Sequence, residues 1–166
     1  MSNFEDIRES AEPRPKGNRY EDMTEGRRFD HHWGRTITAG DNAAFTTQTL
    51  SFCPLYFNEP YAQSQGHRTT VVNPLLVFNT VFGLTVEDLS EGGGPFLGVD
   101  ECAFEQPVYI GDTLTARSVV LAARESKGQA GFGIVTWHTE GFNQHGDRVI
   151  SFKRTNLVRR RKQGGR

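Results

Sequence analysis

The sequence contains few cysteines, little net charge and no apolar run of membrane-spanning length. Its two cysteines, Cys53 and Cys102, are too few for a disulfide framework or a cysteine zinc site, and are typical of a reducing compartment. The longest mostly apolar run, Val71 to Leu84, is shorter than the roughly 20 residues of a transmembrane helix. A net charge of −1 argues against nucleic acid or a membrane surface as a partner.

Length and polarity indicate one domain between two tails. A chain of 166 residues is typical of a single domain, which we place at residues 20–158. Residues 1–19 are polar, carry two prolines and lack the apolar stretch of a secretory signal, so we expect a flexible tail and a cytoplasmic location. Residues 159–166 begin Arg-Arg-Arg-Lys, and we expect a solvated basic tail.

The apolar run predicts a buried central helix. Asn73 is a favourable N-cap, and Pro74 follows at the first helical position, where proline loses no hydrogen bond. Between Leu75 and Leu84 only Asn79 and Thr80 are polar. Because a helix that is apolar on nearly every face belongs inside a core, we expect a sheet to wrap around it.

Upstream of this helix, the sequence predicts a shorter helix and a loop. Thr38 and Asp41 fit a capping box. The helix that follows is predicted over Asn42–Leu50, with Ala43, Ala44, Thr47 and Leu50 within reach of one face. Residues 51–70 contain two prolines, which disfavour a helical conformation in the residues before them, so we expect mostly loop there.

Downstream of the helix, the pattern changes to strands. Four stretches rich in β-branched and aromatic residues alternate with tight-turn sequences, which predicts a meander of antiparallel hairpins over residues 96–109, 113–123, 133–142 and 149–157. An earlier strand is expected within Arg27–Ile37. Together these elements predict an α+β fold, an antiparallel sheet wrapped around a central apolar helix, which is the hot-dog arrangement. Its exposed sheet edge predicts a homodimer or higher homo-oligomer.

Four motifs follow one another between about residues 30 and 158: Gly34-Arg35-Thr36-Ile37-Thr38, Pro54-Leu55-Tyr56-Phe57-Asn58 with Tyr61-Ala62, Val72-Asn73-Pro74-Leu75, and Pro107-Val108-Tyr109-Ile110-Gly111-Asp112-Thr113-Leu114. In this order they resemble the MaoC-like dehydratases, above all the mesaconyl-CoA and itaconyl-CoA hydratases, which are related to the (R)-specific enoyl-CoA hydratases. The resemblance implies a hydratase or dehydratase of a short acyl-CoA, branched and dicarboxylic acyl groups included. It also implies that no metal or redox cofactor takes part.

The loop before the central helix departs from the pattern of that family. There the family has Asp-x-Asn-Pro-Leu-His-x-Asp, whose aspartate and histidine act on water and on the α-carbon proton. Ser51 and Tyr56 stand at those two positions, Cys53 at the asparagine and Asn58 at the final aspartate, where Asn58 is a candidate for binding the substrate. Ser51 is a candidate for holding water, and Tyr56 for donating a proton. A tyrosine with a pKa of about 10 is a poor base, and Tyr56 could instead be a packing aromatic.

Further residues are candidates for binding the substrate. His67 could return an imidazole to the site, although a surface histidine is the alternative, and the planar fork of Arg68 suits CoA phosphates or a second carboxylate. Asn73 leaves free N–H groups at the helix start that could polarise a thioester carbonyl. His31 and His32 lack a third ligand at a suitable spacing, so we predict no metal site.

Two other functions stay open. Because both members of the family dyad are replaced, the chain could be a catalytically silent hot-dog subunit that binds acyl thioesters or pairs with an active homologue. It could also be an acyl-CoA thioesterase in which Asp100 or Glu101 is the base.

Overall fold

A computed structural model describes residues 17–161, so residues 1–16 and 162–166 of the tails expected at 1–19 and 159–166 lie outside the described range. The described chain contains two short 3-10 helices, Tyr20–Asp22 and Pro54–Tyr56. Four α-helices are present in this part of the chain: α1 (Ala39–Gln48), α2 (Glu59–Ser64), α3 (Pro74–Leu84) and α4 (Val86–Leu89). The strands are β1 (Arg28–Asp30), β2 (Arg35–Thr36), β3 (Phe96–Phe104), β4 (Thr113–Glu125), β5 (Phe132–Phe142) and β6 (Arg148–Arg159).

The strands form one antiparallel sheet in the order β1-β4-β5-β6-β3, with β2 also pairing with β4. The expected four-strand meander is therefore wrong in its first member, since β3 pairs with β6 and not with β4. The segment after β3 leaves the sheet, and its Val108 carbonyl accepts a 2.8 Å hydrogen bond from the Val72 amide. This crossing carries the chain from the edge strand β3 past β6 and β5 to the position of β4. It also takes Pro107 out of the strand, where its missing N–H would interrupt the ladder.

The central helix α3 confirms the prediction made from its cap and its apolar residues. The Asn73 side chain accepts a hydrogen bond from the Leu75 amide at 3.0 Å, and Pro74 is the first helical residue. Val81 is fully buried and lies so close to the sheet that a Cβ on Gly141 would stand 2.6 Å from its methyl group. The other buried members of this core are Ile37, Val72, Val77, Val108, Leu114, Ala116, Val149, Ile150 and Phe152.

One face of α3 remains exposed in the described chain, although the sequence predicted almost none. Leu75 is 55% exposed, and Asn79 and Gly83 follow it on the same face, since residues four apart in a helix are neighbours. The sheet therefore covers α3 from one side only.

A buried polar network lies beside a second apolar cluster, between the sheet and α4. The His31 ring is nearly inaccessible, with Nδ1 2.6 Å from Asp88 Oδ2 and Nε2 2.9 Å from Ser118 Oγ. Ser118 in turn lies 2.8 Å from the hydroxyl of Thr139. Arg154 is buried nearby, bonded to Thr85, and burial lowers its pKa to about 10. None of these partners was evident from the sequence.

Residues just outside the predicted limits of 20 and 158 contact the domain at both ends. The Asn18 and Arg19 side chains donate to the carbonyls of Asp88 and Gly92, at 2.8 and 2.7 Å. At the other end, β6 includes Arg159, and the two arginines after it are paired with Glu21, Asp22 and Glu125. Within residues 17–161, no helix is long and apolar enough to cross a membrane.

Candidate functional site

A cavity of about 300 Å³ lies at the N-terminal end of α3. Its walls come from the loop before the helix, the crossing segment after β3 and the start of β6. Most of the lining is apolar, which suits an acyl chain. The lining residues are Leu55, Tyr56, His67, Val71, Val72, Pro74, Val77, Phe104, Glu105, Gln106, Pro107, Val108 and Val149.

Tyr56 ends the 3-10 helix Pro54–Tyr56 and lines this cavity. Its amide donates to the Cys53 carbonyl at 3.0 Å, and its own carbonyl accepts from Asn42 at 2.8 Å. Burial raises the pKa of the Tyr56 phenol above its ordinary value, with a smaller contribution from Cys53. The phenol therefore keeps its proton at neutral pH and can donate it, but it cannot serve as a base there.

His67 lines the same cavity, so the structure brings together two residues that the sequence analysis singled out separately. The His67 amide donates to the Ala62 carbonyl at 3.1 Å, which fixes the backbone just after α2. Its ring nitrogen Nδ1 lies 3.1 Å from the Tyr109 hydroxyl. Because one ring nitrogen is engaged by Tyr109, the other is available to a molecule in the cavity.

Glu105 is a carboxylate at the cavity that the sequence analysis missed. Its oxygens accept hydrogen bonds from Arg148 Nε at 2.7 Å and from the Ser151 hydroxyl at 2.9 Å. The bond from Arg148 lowers the pKa of Glu105, and Ser151 lowers it further. A carboxylate stabilised in this way stays ionised and is a weak base.

Ser51 and Asn73 are joined to each other at the start of α3 but do not line the cavity. The Asn73 side-chain amide donates to the Ser51 hydroxyl at 3.1 Å. Its carbonyl oxygen caps the helix, and the next residue, Pro74, reaches the cavity wall. The two side chains therefore lie beside the helix N-terminus, where backbone N–H groups favour negative charge.

Asn42 is the residue that holds these segments together, and the sequence analysis assigned it no role. It is fully buried; its side-chain amide donates to the carbonyls of Tyr56 at 2.8 Å and Val71 at 3.1 Å. Its oxygen accepts from the Asn73 amide at 2.9 Å. Asn42 and Thr46 are the buried residues of α1, whereas the residues that the sequence grouped on one face, Ala43, Ala44, Thr47 and Leu50, are exposed. In the sequence, the sign of this role is that two polar residues, Asn42 and Thr46, stand four positions apart just after the Thr38 N-cap.

The remaining candidates lie outside the cavity lining. Arg68 forms an ion pair with Asp112 at 2.9 Å, and Asn58 caps α2 by accepting from the Tyr61 amide at 3.0 Å. Asp100 and Glu101 belong to the edge strand β3, away from the lining residues. Among residues 17–161, no group of three or more histidine, cysteine and acidic residues could hold a metal ion.

Comparison with known proteins places this geometry in context. The family model described as mesaconyl-CoA hydratase matches residues 1–165. The chain is 37% identical over 159 residues to a mesaconyl-CoA hydratase of Haloarcula hispanica, covering 95% of this chain and 44% of that protein. It is 39% identical over 152 residues to a β-methylmalyl-CoA dehydratase of Chloroflexus aurantiacus, covering 92% and 43%. An (R)-specific enoyl-CoA hydratase of Aeromonas caviae is 32% identical over 113 residues, covering 68% and 80%.

Solved structures agree with these sequence matches. A MaoC domain protein dehydratase from Chloroflexus aurantiacus superimposes with a TM-score of 0.85 at 38% identity, covering 95% of this chain and 44% of that one. A Mycobacterium tuberculosis protein with a double hot-dog fold, at 20% identity and a TM-score of 0.79, matches over 90% of this chain and 46% of its own. The predicted hot-dog fold is confirmed. The chain spans less than half the length of the mesaconyl-CoA hydratase and dehydratase relatives that it matches.

Proposed function

Because the chain belongs to the mesaconyl-CoA hydratase family, we propose that it hydrates a short enoyl-CoA or dehydrates the matching 3-hydroxyacyl-CoA. The proposed substrates include thioesters with branched and dicarboxylic acyl groups. The observation that carries the proposal is the apolar cavity at the start of α3, with Tyr56 and His67 in its wall. The reaction changes no oxidation state overall, and we propose that it uses no metal or redox cofactor.

In the proposed hydration, the acyl chain occupies the cavity and its thioester carbonyl faces polar donors. Water adds its hydroxyl group to C3 of the enoyl chain and loses a proton, while C2 gains a proton. Negative charge develops on the thioester oxygen between these events, so donors placed there lower the barrier. Tyr56 donates its proton to C2 and is reprotonated by the proton that the water releases, or it donates a hydrogen bond to that oxygen while the proton of the water passes to C2. Ser51, held by Asn73, orients the water. Arg68 and Asn58 are proposed to contact the CoA portion or a second carboxylate.

A second function is favoured because the site, within residues 17–161, has no strong base that could activate water. The histidine best suited to take a proton from water at neutral pH is replaced by Tyr56 in this chain. Glu105 is a weak base, because Arg148 lowers its pKa. These observations favour a subunit that binds the acyl thioester and pairs with a second hot-dog chain bearing the aspartate and histidine.

The experiment that separates the two functions is an absorbance assay of the enoyl thioester. Purified protein is incubated with crotonyl-, mesaconyl- and itaconyl-CoA, alone and with any dyad-bearing MaoC-like chain that co-purifies with it. Turnover by the protein alone that falls at least tenfold in Tyr56→Phe supports the enzyme. Tight thioester binding, with turnover only in the mixture, supports the subunit. Absence of binding to every thioester contradicts both, and release of free thiol would instead indicate a thioesterase.

We also propose an assembly and a location. The edge strand β3 exposes Phe96, Leu97 and Phe104, each close to half accessible or more. An apolar edge strand whose outer side has no partner strand within residues 17–161 favours association, so a homodimer is expected for the enzyme. The free cysteines Cys53 and Cys102 are consistent with a cytoplasmic location.

A further inference from the structure

We propose that Tyr109 is a positioning residue that holds the hydrogen of the His67 ring on Nε2, so that His67 donates a hydrogen bond into the cavity. The catalytic meaning of this bond rests on the proposed function, whereas the hydrogen position itself does not. Tyr109 does not line the cavity, and His67 does. The tyrosine therefore contacts the histidine from behind.

The contact between the two rings is specific. The Tyr109 hydroxyl lies 3.1 Å from His67 Nδ1, and the ring centroids are 6.0 Å apart with the planes tilted by 58°. A neutral imidazole has one nitrogen that donates and one that accepts. If Tyr109 donates to Nδ1, the ring hydrogen must be on Nε2.

The position of Arg68 favours one direction for this hydrogen bond. Its guanidinium carbon lies 4.5 Å from the centroid of the Tyr109 ring. A cation over an aromatic face draws electron density from the ring. We infer that this strengthens the Tyr109 O–H as a donor and weakens its oxygen as an acceptor. His67 and Arg68 are adjacent in sequence, so one loop supplies both the acceptor and the cation that favours donation.

The Asp112 carboxylate fixes the positions of Tyr109 and Arg68 relative to each other. Its Oδ2 accepts from the Tyr109 amide at 2.8 Å, and its Oδ1 accepts from Arg68 at 2.9 Å. The same Oδ1 accepts from Gln144 at 3.0 Å, and the Asp112 side chain is only 6% exposed. Tyr109 also forms an isolated antiparallel bridge with Val71, a lining residue. Because backbone and ring are both restrained, the phenol is held toward His67.

The consequence is a cavity wall that carries hydrogen-bond donors. His67 with its hydrogen on Nε2 and Tyr56 with its proton retained can both donate to an oxygen that gains charge. His67 then acts as a neutral donor to the thioester and not as the base that activates water. This assigns it a role that differs from that of the histidine missing from the family loop.

The test is ¹⁵N NMR of the histidine rings at about pH 8, where an ordinary imidazole is neutral. The His67 signals are assigned by their loss in His67→Gln. We expect Nε2 to carry the hydrogen and Nδ1 to be the bare, hydrogen-bonded nitrogen in the unmodified protein. Tyr109→Phe keeps the ring beneath Arg68 and should shift the Nδ1 signal toward that of an unbonded nitrogen. Tyr61→Phe, which removes a phenol elsewhere, should leave it unchanged.

A hydrogen found on Nδ1 of the unmodified protein overturns the proposal, with no variant required. So does a His67 spectrum that is the same in Tyr109→Phe. Adding butyryl-CoA, a saturated thioester that cannot be hydrated, should shift the Nε2 signal. If butyryl-CoA and the crotonyl, mesaconyl and itaconyl thioesters all fail to bind while the hydrogen is on Nε2, the proposed function fails and the assignment of Tyr109 stands.

Discussion

Replacing Asn42 by alanine is expected to destabilise the protein and to loosen the candidate site together. The Asn42 side chain is buried and makes three hydrogen bonds, to the carbonyls of Tyr56 and Val71 and from the amide of Asn73. Alanine removes all three bonds and supplies no replacement. The bonds to Val71 and Asn73 are fully buried, so water cannot readily take the place of the lost side chain.

The expected size of the effect follows from those groups. Leaving a buried donor or acceptor without a partner costs about 1–3 kcal/mol, so two buried groups and a partly buried one give a loss of about 3 kcal/mol. With a urea dependence of about 2 kcal/mol per molar, the unfolding midpoint falls by about 1.5 M. The assay is urea unfolding followed by tryptophan fluorescence, with butyryl-CoA binding measured on the folded variant. Binding should weaken because the Tyr56 carbonyl is released.

Asn79→Ala is the matched control, because it removes an exposed asparagine from the face of α3. Its effect should stay within about 0.5 kcal/mol. The reasoning is refuted if Asn42→Ala costs less than about 1 kcal/mol, or if it and the control lower the midpoint equally. Equal thioester affinity in Asn42→Ala and the unmodified protein would show that the bonds support the fold but not the site.

Three further predictions concern other parts of the molecule. Burial lowers the pKa of His31 from the 6.5 of an exposed imidazole, with Asp88 opposing, so the unfolded chain binds more protons than the folded protein. Stability should therefore be full above pH 6.5 and fall as the pH drops below it. Urea unfolding at several pH values tests this, and His31→Gln should lose the pH dependence. Gly141→Ala places a Cβ 2.6 Å from Val81 and should cost about 1–3 kcal/mol, measured as a lower melting temperature. Thr38→Ala removes the oxygen that accepts from the Asp41 amide at 3.1 Å and should cost about 1 kcal/mol in the same assay.

The elements that the sequence predicted correctly are those specified by neighbouring residues. The capping box of Thr38 and Asp41 and the Asn73-Pro74 start of α3 are local, and both are present. The order of the strands is not local. Whether β3 pairs with β4 or β6 depends on where residues 105–112 cross, and no turn sequence encodes that path.

The site was predictable only in part, for a related reason. Tyr56 and His67 were found because they lie in the loop that a family motif marks, and both line the cavity. Asn42 was missed because its value comes from three backbone groups far apart in sequence. Burial of His31 likewise depends on Asp88 and Ser118, which approach it only after folding. Polar residues inside a core are the hardest to anticipate, since composition treats them as surface residues.

The cavity supplies groups that could polarise a thioester carbonyl, but it does not supply the aspartate and histidine that would activate water. Tyr56 keeps its proton, and His67 is proposed to donate from Nε2, so under the proposed function both side chains would donate to a thioester oxygen that gains negative charge. Neither supplies the base that water addition requires, and Glu105 is made a weak one by Arg148. Under the proposed function we therefore expect this site to bind thioesters better than it turns them over. Restoring a histidine with Tyr56→His should therefore raise turnover if Ser51 can hold water, and the double variant Ser51→Asp, Tyr56→His should exceed it. No gain in either variant, together with turnover only when a dyad-bearing chain is added, would indicate that the partner chain activates water.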